Sequence, residues 1–337
     1  MSFIAQYGLF AAKLTTLIVG ILVTIAGALY LIGREKRKGE TVDSPVTVSR
    51  INEKYDAMRH TLEAKILDKE TLKQAEKTRK HQEKEQSEDD KKKKRIFVID
   101  FDGDIRASAV SALREEVTAV LTFAKPDDEV FVTVSSGGGM VNTYGLAASQ
   151  LSRIRDRGIP LTIAVDKIAA SGGYMMACVG NQILAAPFAI LGSIGVVAQM
   201  PNFNRLLKKH DIDYEQITAG EYKRTLTVFG ENTEKGREKF KDDLEEIHQL
   251  FKDFVKQYRP QVELEQVATG EYWFGTRALE LRLVDTIRTS DDYLLDQAKE
   301  ASLYRVKHKH RKSFSEKLSS LFNSAVDRMH GRQGPIA

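Results

Sequence analysis

A serine followed by two glycines, directly after an apolar run, is the first arrangement in this sequence that could do chemistry. In A-A-S-G-G-Y (169–174), Ser171 carries a hydroxyl that becomes a nucleophile once a neighbouring base takes its proton. The glycines let the backbone turn tightly and leave room for another chain to approach. If a helix begins here, its exposed N–H groups and dipole favour a developing negative charge, with the Gly172 N–H as one oxyanion donor. The same residues also fit a serine capping a helix packed closely on a sheet. On these residues alone the two readings are balanced. The pattern is not the G-x-S-x-G elbow, because Ala169 stands where its first glycine would be.

A nucleophile needs a second donor and a base. S-S-G-G-G (135–139) ends a predicted strand, and glycine-rich backbone beyond a strand end exposes N–H groups to a ligand. It lacks the G-x-G-x-x-G spacing of a dinucleotide site, and a simple tight turn is the plain alternative. The seven histidines offer no distinctive base. His60 and His81 lie in a charged stretch, His308, His310 and His330 near the C-terminus, and His248 within a long charged helical pattern. His210 follows two lysines and reads as a helix C-terminal cation. This favours a Ser–Lys arrangement, and Lys223 in I-T-A-G-E-Y-K-R-T-L has the unusual setting, after a predicted strand and Gly220. With an ordinary pKa, about one lysine in 2,500 is neutral at pH 7. Lowering the pKa to ~8 by burial raises that to about a tenth, at a cost of ~3 kcal/mol.

The elements that must position these groups alternate. Strand runs at 96–101, 129–134 and 161–165 enclose helical patterns at 108–124 and 141–156, which predicts an α/β fold with a buried parallel sheet. The apolar stretch 183–198 contains Pro187, Gly192 and Gly195 and reads as two core strands joined by a turn. A long amphipathic helix is predicted over 233–258. Cys178, the single cysteine, excludes an internal disulfide and reads as a core residue.

Before this domain the sequence changes character. Residues 14–32 hold no charge, and nineteen helical residues reach about 28 Å, the hydrocarbon thickness of a bilayer. Ala26 and Ala28 resemble a signal-cleavage site, but the apolar run continues past them and no basic cluster precedes it. The expected organisation is an N-terminal segment 1–13, a transmembrane anchor 14–32, a charged juxtamembrane stalk and linker 33–95, a catalytic domain 96–300 and a basic tail 301–337. Residues 34–95 carry 19 Lys+Arg against 14 Asp+Glu, a surplus of 5 where the whole chain has only +4. The rest is close to neutral, which argues against a nucleic-acid surface on the folded part. Arg34, Lys36, Arg37 and Lys38 follow the anchor, and the positive-inside rule then puts the downstream domain in the cytoplasm.

A-A-S-G-G-Y, G-S-I-G-V (192–196), A-G-E-Y-K-R and T-G-E-Y-W-F-G-T-R-A-L-E-L-R-L-V-D (269–285) occur in the order and approximate spacing of the signal peptide peptidase A family. Over residues 96 to 290 the chain resembles that family, and the four motifs are specific only together. The resemblance implies a ClpP/crotonase-like α/β spiral with Ser171 as nucleophile and Lys223 as general base. It implies oxyanion donors at Gly172 and Gly138, with Ser193 helping to orient the lysine ammonium. It also implies a homo-oligomer in which neighbouring subunits supply the Ser and the Lys, peptide or membrane-associated substrates such as remnant signal peptides, and no metal or organic cofactor. For bacterial members the resemblance implies an inner-membrane protein working on the periplasmic side, against the charge rule. Arg224 and Arg282 depart from the family pattern, at a small residue and at a glycine respectively. Two other readings stay open: a crotonase-like acyl-CoA enzyme, which leaves Ser171 and Lys223 without roles, and an inactive membrane scaffold.

Overall fold

The computed structural model describes residues 8–10, 12–21, 23–24, 44–74, 77–78 and 93–309, in two units, Met1–Pro45 and Val46–Ala337. In the first unit the described residues before position 25 are helical. The Thr16 and Thr24 hydroxyls fold back onto the carbonyls of Ala12 and Gly20, which satisfies them without water. Among the described residues no helix is long and apolar enough to cross a membrane. Most of the second half of the expected anchor and the loop after it lie outside the described residues.

The second unit is built on one sheet of ten strands. In chain order these are β1 (Val46–Arg50), β2 (Arg95–Gly103), β3 (Glu129–Ser136), β4 (Leu161–Val165) and β5 (Ile168–Ala170), then β6 (Gln182–Ala185), β7 (Ile190–Gly192), β8 (Tyr272–Phe274), β9 (Thr286–Ile287) and β10 (Ser302–His308). The helices that matter for the site are α1 (Ile51–Ile66), α2 (Val110–Leu121), α3 (Val141–Arg155), α4 (Gly172–Ala177), α5 (Glu234–Tyr258), α6 (Gly275–Glu280) and α7 (Ser290–Gln297). The main path runs β1-β10-β2-β3-β4-β6-β9, and β5, β7 and β8 branch from β3. β2 shows why the middle of the sheet is buried on both sides. Ile96 and Val98 enter one apolar cluster, while Phe97, Ile99 and Phe101 enter the other, as period-2 alternation requires.

The fork is made by β3. Its residues Val130 to Thr133 pair with β4, whereas Ser136 pairs with Ala169 of β5. The chain between β4 and β5 is held there by Asp166, which accepts from the backbone N–H and hydroxyl of Ser290. β5 therefore peels away from β4 and carries Ser171 out at the fork. The apolar stretch 183–198 supplies β6 and β7, as expected, with Pro187 between them.

Three expectations need correction. The sheet is mixed rather than purely parallel, because β1 runs antiparallel to β10 and β8 antiparallel to β7. The folded unit also extends past both expected borders at 96 and 300. β10 lies parallel beside β2, and β1 covers its other edge. Leu303 and Val306 are buried, but Arg305 and Lys307 between and after them gave the strand the look of a basic tail. Ile51 is likewise buried, and the Asn52 side chain bridges Ala298, Ala301 and Leu303, so the first part of the expected stalk packs on the domain. Residues 79–92 of the stalk and 310–337 of the tail lie outside the described residues. Finally, no strand precedes Lys223: residues 211–233 are irregular, and α5 begins only at Glu234.

Candidate active site

Ser171 closes β5 and opens α4. Its φ of 53° with ψ of −120° is a conformation that side chains rarely adopt, and costs about 1–3 kcal/mol. The strain is held from both sides. The Ser171 N–H donates to Gly192 O at 2.8 Å, and its carbonyl accepts from Met175 N–H at 2.9 Å. The sharp turn leaves the hydroxyl facing a cleft of about 630 Å³ that Ser193, His248 and Thr269 also line. No side chain among the described residues hydrogen-bonds the Ser171 hydroxyl.

The two glycines after the serine have steric reasons. A Cβ on Gly172 would fall on the Tyr144 ring, and one on Gly173 on the Ser136 carbonyl. α4 therefore lies closer to α3 and β3 than any other residue would allow. The Gly172 N–H, in the first turn of α4, is left without a carbonyl or side-chain acceptor among the described residues. Gly138 lies against the same turn at φ 87°, and a Cβ there would stand 2.6 Å from Gly172 N and 2.8 Å from Ser171 Cβ. Its own N–H donates to Ser136 Oγ at 3.1 Å.

The floor beneath α4 is rigid. Tyr144 is fully buried and donates to Asp104 O at 2.6 Å. Tyr174, also fully buried, donates to Leu283 O at 2.9 Å. Below it Arg259 grips both Asp285 oxygens, at 2.8 and 2.7 Å, and donates to Arg282 O. Arg282 adopts φ 59°, which accounts for the glycine that the family pattern has at this position. Cys178 is fully buried as expected. Burial pushes its thiol well above the usual range, so it has no thiolate to offer as a rival nucleophile.

The structure brings Ser171, Gly172, Gly138 and Ser193 together and leaves Lys223 outside. Ser193, at φ 50°, lines the cleft beside Ser171. Lys223 is exposed and is not among the cleft-lining residues. Its ammonium meets no carboxylate or other hydrogen-bond partner among the described residues. The burial expected for a lysine acting as a base is not supplied by the described residues of its own chain. Its neighbour Arg224 is exposed as well.

His248 is the residue that sequence reasoning passed over. It lines the cleft from α5, where charged residues surround it in sequence. The available signal was its phase: Leu244, His248, Phe251 and Val255 follow steps of 4, 3 and 4, which puts a polar ring on the inward stripe of an amphipathic helix.

The sequence agrees with this geometry. Residues 2–151 match peptidase family S49 N-terminal, and residues 153–304 match peptidase family S49. The chain belongs to peptidase family S49. It is 46% identical over 337 residues to the probable protease SohB of Haemophilus influenzae, covering 96% of this chain and 94% of that protein. It is 47% identical over 309 residues to the probable protease SohB of Buchnera aphidicola subsp. Schlechtendalia chinensis, covering 88% of this chain and all of that protein. A further probable protease SohB, from Buchnera aphidicola subsp. Acyrthosiphon pisum, is 56% identical over 228 residues, 68% of each chain. The two S49 segments share one sheet here: the first supplies β2, β3 and Gly138, the second Ser171 and the strands of the branch. Peptide-bond hydrolysis is thus the chemistry of this chain.

Proposed function

We propose that this S49 peptidase is a membrane-anchored serine endopeptidase whose dyad is assembled between copies of the chain. Ser171 attacks the peptide carbonyl, and Lys223 of a neighbouring copy takes its proton and returns it to the leaving amine. The Gly172 N–H faces the developing oxyanion. Gly138 joins it once its N–H turns from Ser136 Oγ to the substrate, and Ser193 orients the incoming ammonium. The observation that carries this reading is the mismatch between the two partners. The serine is strained, fixed and open to a cleft, while the lysine is exposed and uncommitted. Seating in a neighbour's cleft would supply the burial that lowers the lysine pKa and leaves more of it as the free amine, the form that takes a proton. The segment around Lys223 has the surface for such a contact, since Ile217 is 93% exposed and Leu206, Ile212 and Phe229 are exposed with it.

The substrates in this reading are extended apolar peptides. Val141, Met175, Val197, Ile247 and Phe251 give the cleft an apolar wall. The backbone of Gly195 and Val196 beside it has no hydrogen-bond partner among the described residues, which suits pairing with an extended chain. The ClpP/crotonase-like spiral, the 14–32 anchor and a periplasmic catalytic domain belong to the same proposal. Remnant signal peptides fit it, being apolar and membrane-borne. A reporter fused after Arg95 should be active only on the periplasmic side; cytoplasmic activity would reverse the topology. The detergent-solubilised full chain should be acylated at Ser171 by a serine-directed probe, and Ser171→Ala or Lys223→Ala should abolish labelling. Full labelling in either variant would remove the dyad, and thioester turnover without peptidase activity would favour the acyl-CoA reading.

A further inference from the structure

The ladder between β7 and β8 runs out beside the nucleophile, and how it ends involves His248. Regular pairing stops at Gly192 and Tyr272. Two more contacts extend it: Ser193 N–H donates to Glu271 O at 2.6 Å, and Gly270 N–H to Ile194 O at 3.2 Å. The Ile194 side chain is fully buried, which anchors the residue in the core. Its carbonyl has a second acceptor position, and His248 Nε2 lies 3.3 Å from it. A carbonyl can only accept, so Nε2 is the donor and carries the proton whether the ring is neutral or charged. Nδ1 faces Glu245 Oε1 at 3.9 Å. Ile194 O is therefore where three segments meet: the chain leaving β7, the T-G-E-Y turn before β8, and α5.

Beyond that point the chain is unsupported. Gly195, Val196 and Val197 line the same cleft as Ser171 and take part in no backbone ladder. Their distance from the nucleophile is set by the direction in which the chain leaves Ile194. One hydrogen bond from Gly270 leaves that direction free to rotate about the bond, and a second donor at a different angle fixes it.

We propose that His248 is a positioning residue for peptide binding: by donating to Ile194 O it fixes segment 195–197 at the spacing from Ser171 that admits an extended peptide. The role rests on Ser171 being the nucleophile, but not on Lys223. Because the imidazole touches the segment and not the reacting atoms, its loss acts on substrate binding and leaves acylation of Ser171 by a small reagent intact.

The test is steady-state kinetics of the full-length, detergent-solubilised protein on an apolar hexapeptide, with labelling by a small fluorophosphonate in parallel. His248→Ala and His248→Phe, which lose the donor with and without loss of volume, should each raise KM about five-fold, the effect of one hydrogen bond. Their kcat and labelling rate should stay within about two-fold of the parent. His248→Gln, which keeps an N–H donor, should restore the parental KM. An unchanged KM in the Ala and Phe variants would overturn the role. So would a fall in kcat, labelling and Tm together, since that marks a packing residue. Absence of labelling at Ser171 in the parent would instead overturn the nucleophile itself, and this role with it.

Discussion

The two halves of the proposed dyad sit in opposite kinds of structure. Ser171 stands on a turn fixed by Gly192 and Met175, over two fully buried tyrosines and glycines that a Cβ would displace. Lys223 stands in a stretch of more than twenty residues without regular structure, exposed, its ammonium without a partner among the described residues. One side is held in place by its own chain, apart from the Gly138 N–H, which in the proposed mechanism must first leave Ser136 Oγ. In the proposed reading the other side is completed by a neighbouring copy.

The comparison can be broken at either half. The largest effect is expected from the reacting groups: Ser171→Ala and Lys223→Ala should each lower kcat/KM on a peptide by about 10³-fold or more, read by peptide hydrolysis. Next comes the contact surface on the lysine side. Ile217→Asp should leave thermal unfolding unchanged while shrinking the assembly in light scattering. Activity should fall about 30-fold, the weight of one interface hot spot. On the serine side the floor is the weak point. Arg259→Ala removes the cation that binds Asp285 and the Arg282 carbonyl. Breaking a buried pair costs about 3–5 kcal/mol, and the lower figure applies because Asp285 is partly exposed. Denaturant unfolding should show the loss, and labelling of Ser171 should fall with it as Leu283 no longer holds Tyr174. The smallest effect is a gain: Arg282→Gly relieves φ 59° and should add about 1 kcal/mol, visible as a higher Tm.

Much of the serine side was legible in the sequence, because its determinants are local. Two glycines after a serine, an apolar run before it and a glycine loop at a strand end all report short-range geometry. The tightness of Gly172 on Tyr144 and the strain at Arg282 follow from the same logic. Other features depend on distant pairing and leave little local signal. Residues 302–308 read as a tail because Arg305 and Lys307 hide Leu303 and Val306, and only the partners β1 and β2 reveal a strand. His248 was read by its charged neighbours in sequence rather than by its phase on α5. Lys223 is singled out by motif alone, and the groups proposed to bury it belong to another copy, which one chain's sequence does not arrange.

Mixing two inactive variants tests the central claim most directly. Ser171→Ala keeps the lysine and Lys223→Ala keeps the serine, so neither cuts peptide alone. If the dyad forms between copies, dissociating and reassembling an equal mixture should restore about one quarter of the parental activity, the share of sites that receive one intact group from each. A mixture that stays as inactive as its components, while still co-assembling, would place both groups in one chain and contradict the account.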